Sequence, residues 1–189
     1  MHALDLLIAD HNRCRGMFAR FKDAKANDDA DTMSSLFLQI LKELEVHMTL
    51  EEEIFYPMVR DTNDDISDTV DEGEQEHHVA KVLLAEIKQL PDGSDEWIAK
   101  VTVLRESVEH HIDEEEDELF PPLRNRIDKD VWNEMAERFE ARKAELGAPT
   151  VADKIDRTKD ELLDLARAQQ IPGRSSMSQE ELAATVAPR

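Results

Sequence analysis

The stretches EVHMTLEEEIFYP (45–57) and EHHIDEEEDELFP (109–121) align without a gap at a Glu, a His, a Glu four residues after that His, the next Glu and the closing Pro. Each contains His-x-x-x-Glu, His47 with Glu51 and His111 with Glu115. On a helix, residues i and i+4 share one face a turn apart, so each pair aims an imidazole and a carboxylate at one point. Nitrogen and oxygen donors without sulfur suit iron, with manganese and zinc as alternatives.

Apolar periodicity shows which elements must position these pairs. Leu4, Leu7, His11, Cys14, Phe18 and Phe21 form the seam of a first amphipathic helix. Met33, Phe37, Ile40, Leu44, His47, Glu51, Ile54 and Met58 form a second. The third seam is Ile66, Val70, Gly73, His77, Ala80, Leu84 and Ile87, and the fourth is Val101, Leu104, Val108, His111 and Glu115. Each of the four helices therefore places a histidine on its inward face. The connections ANDDAD, DTNDD and LPDGSD are short and rich in turn formers and caps, which makes sequential helices antiparallel. The expected fold is all-α, an up-down-up-down four-helix bundle. A fifth helix carrying Trp132, Met135 and Phe139 packs against it and ends at LGAPT.

Six inward polar side chains, His11, His47, Glu51, His77, His111 and Glu115, then meet in the core. Burying them uncompensated costs several kcal/mol per charged group, against roughly 5–15 kcal/mol for the stability of a whole domain. Bound metal removes the conflict. His11 and His77 are 66 residues apart, and His47 and His111, Glu51 and Glu115, and Pro57 and Pro121 are each 64 apart, so two helical hairpins are related by an approximate twofold. A twofold duplicates what it acts on. The expectation is two metals bridged by two carboxylates, each with two imidazoles, as di-iron and di-manganese proteins hold them in a bundle core.

Neighbouring residues receive plainer readings. His78 and His110 fall off the seams and are expected at the surface or in support of the ligands, and His2 in a tail. Cys14 is expected as a small buried hydrophobe. Glu52, Glu53, Glu114 and Glu116 are expected to be solvated. Tyr56, beside Pro57 near the site end of the second helix, is a candidate to bond or ligate a metal. Glu118, following Glu115 along the seam, is a candidate additional carboxylate.

The net charge of -21 argues against a nucleic-acid or anionic-membrane surface on the main body. Beyond residue 148 lie six Lys or Arg and seven Asp or Glu, a balance of -1, so about -20 of the charge precedes that point. We therefore expect two units, 1–148 and 149–189. The lone Cys14 excludes an internal disulfide and a thiolate cluster. With no signal-peptide layout and no apolar run of spanning length, the expected location is cytoplasmic.

DHNRC, HMTLEEEIFYP, EHHVAKVLL and HIDEEEDELFP, in that order, resemble the four motifs of the hemerythrin-like, HHE cation-binding domains over about residues 1–145. That resemblance implies a non-heme pair of irons, oxo- or hydroxo-bridged, held by His11, His47, Glu51, His77, His111 and Glu115. It implies binding or reaction of dioxygen, peroxide or nitric oxide, or of iron itself. Oxygen-carrying hemerythrins have a further His where this chain has Gly73, and an Asp in place of Glu115. The implied site is more open and more symmetric than an oxygen carrier's. It favours peroxide or nitric oxide chemistry, or sensing of iron and oxygen, over reversible oxygen carriage.

The tail, KDELLDLARAQQIPGRSSMSQEELAATV, resembles the small module at the N-terminus of Rho termination factors and SAP modules. Thr158 with Glu161 and Ser178 with Glu181 have capping-box spacing. The resemblance implies a nucleic-acid contact through Arg174. Near-neutral charge favours weak binding or docking on the bundle or a partner. An oxidant- or gas-reactive di-iron protein, enzymatic or not, and a sensor that reports metal loading through its tail are the two functions to separate.

Overall fold

The computed structural model describes residues 2–60, 66–150 and 158–186. Among these the regular structure is helical throughout, with no strand. Helix α1 (Ala3–Ala26) and α2 (Ala30–Leu50) pack against each other, as do α4 (Ser67–Ile87) and α5 (Asp95–Glu114), and α1 also touches α5. Local chemistry sets the starts. The Asp29 side chain accepts from the Thr32 N–H at 3.0 Å to begin α2, and Ser94 from the Trp97 N–H at 3.2 Å to begin α5. The DTNDD connection, 61–65, lies outside the described residues.

The two helices that carry His-x-x-x-Glu, α2 and α5, both change pitch at the carboxylate of that pair. A π-helical turn spans Glu51–Phe55 before α3 (Tyr56–Arg60), and another spans Glu115–Leu119 before α6 (Phe120–Arg124). The Tyr56 N–H reaches the Glu51 carbonyl, and the Phe120 N–H the Glu115 carbonyl, each five residues back. Pro57 and Pro121 supply the reason. A proline ring collides with the carbonyl four residues earlier and offers no N–H to it, and the wider π turn accommodates both.

The extra residue in each turn rotates the inward face. Phe55, Tyr56 and Val59 are buried while Met58 is only partly so, and Leu119 and Phe120 are buried while Glu118 is exposed. Glu118, expected along the seam as an additional carboxylate, therefore faces outward, since a regular 3.6-residue period does not hold beyond Glu115.

Two apolar clusters flank a polar layer. One gathers Phe18, Phe21, Phe37 and Trp97; the other gathers Phe55, Phe120, Trp132 and Phe139. Each fully buried Leu, Phe or Ile contributes about 1.5–3 kcal/mol. Helix α7 (Lys129–Glu145) completes the second cluster by packing on α1 and α2. His2, expected in a tail, accepts from the Leu4 N–H at 3.3 Å to cap α1, and its ring lies 4.6 Å from that of Trp132.

Helices α8 (Lys159–Ala168) and α9 (Gln179–Thr185) each begin with a complete capping box, Thr158 with Glu161 and Ser178 with Glu181. They share a small core of Leu162, Leu165, Ile171 and Leu182, and α9 packs on α1. Gly16 lets the turn after α8 approach α1, because a Cβ there would stand 2.5 Å from the Gln169 carbonyl oxygen. Among the described residues no helix is long and apolar enough to cross a membrane.

Candidate metal centre

Between the two apolar clusters, α1, α2, α4 and α5 each direct an imidazole inward. His11, His47, His77 and His111 are buried, as are Glu51 and Glu115. The Nε2 atoms of His11 and His47 are 3.1 Å apart, and so are those of His77 and His111. One Glu51 oxygen lies 3.2 Å from His47 Nε2 and 3.2 Å from His77 Nε2. One Glu115 oxygen lies 3.3 Å from His11 Nε2 and 3.7 Å from His111 Nε2. Each carboxylate thus stands between one imidazole of each pair.

Outward-facing nitrogens are held as well. His11 Nδ1 bonds to Glu116 at 2.8 Å, His77 Nδ1 to Glu52 at 3.0 Å and His111 Nδ1 to Glu76 at 2.8 Å. Arg15 steadies Glu116 at 2.9 Å, and Lys81 steadies Glu52 at 2.5 Å. Glu52 and Glu116, expected as solvated members of EEE runs, are instead half-buried partners of histidines. His47 Nδ1 faces Asp10, 3.6 Å away. These outer bonds orient the rings and, by donating from Nδ1, leave the Nε2 lone pairs facing inward.

Inward lone pairs 3.1–3.3 Å from one another or from carboxylate oxygens repel unless a proton or a cation lies between them. Both oxygens of Glu51 and one of Glu115 are buried without a hydrogen-bond partner. Two donors each about 2.1 Å from a cation and at right angles are about 3.0 Å apart, close to the separations here. The donor set therefore fits metal. His11, His47, Glu51 and Glu115 form one group whose donor atoms lie within 4.8 Å of one another, and Glu51, His77 and His111 form a second that shares Glu51.

Without metal, protons take that place. Burial opposes charge on His47, yet the Glu51 and Asp10 carboxylates outweigh it and push the imidazole well above the ordinary histidine value. Burial likewise opposes charge on His77, but Glu51 and Glu52 raise it to about 9. The Glu51 carboxyl, also opposed by burial, is held well below the usual range by His47 and His77. Metal binding must displace such protons.

Tyr56 lies in this layer and donates its hydroxyl to Glu115 at 3.0 Å. Burial, then Glu115 and Glu51, pushes the phenol well up, so it is neutral here. Gly73 makes room for it: a Cβ at that position would stand 3.0 Å from the Tyr56 oxygen. A cavity of about 20 Å³ borders His47, His77 and His111 and is otherwise walled by Leu44, Met48, Ala80, Val108, Ile112, Cys14, Ser107 and Glu76. It admits one water-sized molecule.

The sequence profile of the Hemerythrin HHE cation binding domain matches residues 2–123. This chain belongs to that family. Among relatives of the HHE chain, a DNA nickase of Nostoc is 29% identical over 148 residues, 77% of this chain and 40% of the nickase. An uncharacterized hemerythrin-like protein of Schizosaccharomyces pombe is 26% identical over 140 residues, covering 74% of this chain and 68% of its own. An uncharacterized protein of Mycobacterium tuberculosis is 28% identical over 151 residues, 79% of this chain and 90% of that one. The chain thus spans less than half the length of the nickase. No solved structure matches it.

Other residues singled out in the sequence lie apart from the donor layer. His78 is exposed, and His110 is exposed and paired to Glu114 at 3.1 Å. Cys14 is buried, and burial pushes its thiol well up. Arg174 donates to the Ile171 carbonyl at 2.8 Å within the turn between α8 and α9. Asp10 and Glu76 were missed as histidine partners. Each directly precedes an inward histidine, His11 or His77, and that repeat at the 66-residue offset was the available signal.

Proposed function

We propose that this HHE-domain chain, built on an up-down-up-down four-helix bundle over 1–148, holds two irons and binds or reacts with a small oxidant or gas. The observation that carries this reading is the placement of Glu51 and Glu115, each between an imidazole of one pair and an imidazole of the other. Two carboxylates so placed suit a bridged pair, with His11 and His47 on one ion and His77 and His111 on the other. Nitrogen and oxygen donors without sulfur favour iron, ahead of manganese or zinc.

An iron pair would supply redox equivalents and Lewis acidity to dioxygen, peroxide or nitric oxide. The chain's own residues select for size and dryness. The cavity beside His47, His77 and His111 is too small for an organic substrate and is walled largely by apolar side chains. Tyr56, with its proton directed at Glu115, is placed to ligate, donate a hydrogen bond or give up a proton at that carboxylate. Azide added to the oxidised, iron-loaded protein should produce a new charge-transfer band, and peroxide should be consumed. An unchanged spectrum with azide would mean the centre is closed and would replace the reactive reading by the sensor reading.

The sensor reading has its own support in the bond from Arg13 to the Ala184 carbonyl, which ties α9 to α1 two residues from His11. In it, 149–189 acts as a small module that passes metal loading to a partner. The name of the Nostoc relative makes DNA the first nucleic acid to try, through Arg174, against the -21 charge of this chain.

A further inference from the structure

Three of the four inward histidines hand their outer nitrogen to glutamates at the partly exposed rim. His47 faces Asp10 instead. Asp10 precedes His11 as Glu76 precedes His77, so under the twofold the two carboxylates are equivalents. Their surroundings differ sharply. Asp10 is 1% exposed, and one of its oxygens accepts from both Arg13 and Lys143, the latter at 2.8 Å. Its other oxygen and His47 Nδ1 lie 3.6 Å apart, and neither has a hydrogen-bond partner. Arg13, itself buried, is gripped by Glu43 at 2.8 Å and 2.6 Å and donates to the Ala184 carbonyl of α9. A single guanidinium therefore joins α1, α2 and α9, one turn from the glycine that admits α8 and α9.

We infer that Asp10 is a positioning residue for the His47 side of the centre, and that docking of α8 and α9 through Arg13 sets how Asp10 is held. The inference rests on the paired-metal reading above. A carboxylate clamped by two cations takes its orientation from them. A small movement of Arg13 therefore brings the free oxygen within bonding distance of His47 Nδ1 or moves it away. That outer bond governs how strongly a histidine holds metal.

The test uses the full chain loaded with iron(II) without oxygen, and follows iron release to an excess of chelator. Wild-type protein should release its two ions in two phases. Asp10→Asn should speed one phase by about ten- to a hundred-fold and leave the other within about twofold. Glu76→Gln, the equivalent change in the other half, should speed the other phase. Asp10→Asn leaves two buried cations short of a carboxylate. Asp10→Asn with Lys143→Met, which removes a matched pair of charges, is therefore measured beside it and should accelerate the same phase. Gly16→Leu drives a side chain into Gln169 and Ile171 of the turn after α8 and changes no charge, and should also accelerate that phase. Equal acceleration of both phases by the Asp10 variants, or of neither, would overturn the positioning role. Gly16→Leu with wild-type kinetics would overturn the link to α8 and α9. A wild-type chain that holds one ion sinks the paired reading alone, and the Asp10 inference then stands or falls on whether that ion leaves faster in its variants.

Discussion

His77 rests against Tyr56, ring centres 5.6 Å apart, while its twofold equivalent His11 is stacked on Phe120 at 5.8 Å. Beyond Tyr56 stands Gly73, whose equivalent at the 66-residue offset is the buried Leu7. On the outer side, Arg13 and Gly16 of α1 are covered by α9 and the turn after α8, whereas their α4 equivalents Val79 and Val82 are 48% and 43% exposed. The two hairpins thus share their donors and differ in what surrounds them. Repetition accounts for a symmetric donor set. Departures from it brace the first half through Arg13 and set a phenyl ring against its histidine, and give the second a hydroxyl.

The largest effects should come from the residues that the halves share. Glu51→Ala and Glu115→Ala each remove a carboxylate that the proposed pair would share, so metal should fall from about two per chain to below one in either variant. Retention of one full ion in both would show that the carboxylates do not bridge. His111→Ala should lose metal and stability, whereas His110→Ala should keep full metal and change stability by no more than about 0.5 kcal/mol. Matching losses from the two, by metal analysis and thermal unfolding, would contradict the register of α5.

Tyr56→Phe makes the halves alike at their aromatic contact. Azide affinity should change several-fold while metal content stays intact, and the lost bond to Glu115 should cost about 1 kcal/mol. Gly73→Ala presses on the same hydroxyl from the other side, so a similar shift in azide affinity is expected from it. If both variants titrate with azide like wild type, the Tyr56 half is not where small ligands act.

A smaller effect concerns protons. Against its burial, Glu51 and Glu52 raise His77 to about 9 in the metal-free fold from an ordinary 6.5. Its raised value stabilises that fold fully below pH 6.5, and this contribution is lost as pH rises through about 9. Metal must displace the same proton, so metal affinity should rise over that interval. Thermal unfolding of the metal-free protein should therefore move to lower temperature from pH 6.5 to 9, more than that of the loaded protein. Parallel curves would remove the carboxylate–imidazole pairing from the account.

Helix positions and the inward placement of the six polar side chains were legible because a 3.6-residue apolar rhythm makes a polar residue on the seam conspicuous. The π turns were not, since one added residue leaves no mark in composition. Their trace is the pair of prolines 64 residues apart, and missing it placed Glu118 inward where Leu119 stands. Glu52 and Glu116 were hidden within EEE runs that read as solvated faces. Their recurrence at the offset of the ligands separates them from neighbours such as Glu53, which is exposed. Lys143 and Ala184 come from distant parts of the chain, and local periodicity carries no information about such tertiary partners.

One donor layer is proposed to hold a pair of ions. Iron and protein should be quantified together on chain produced with ample iron, and the absorption spectrum recorded on the same sample. About two irons per chain and charge-transfer absorption characteristic of a bridged ferric pair are expected. One iron per chain under those conditions, with no such absorption, would contradict the paired reading.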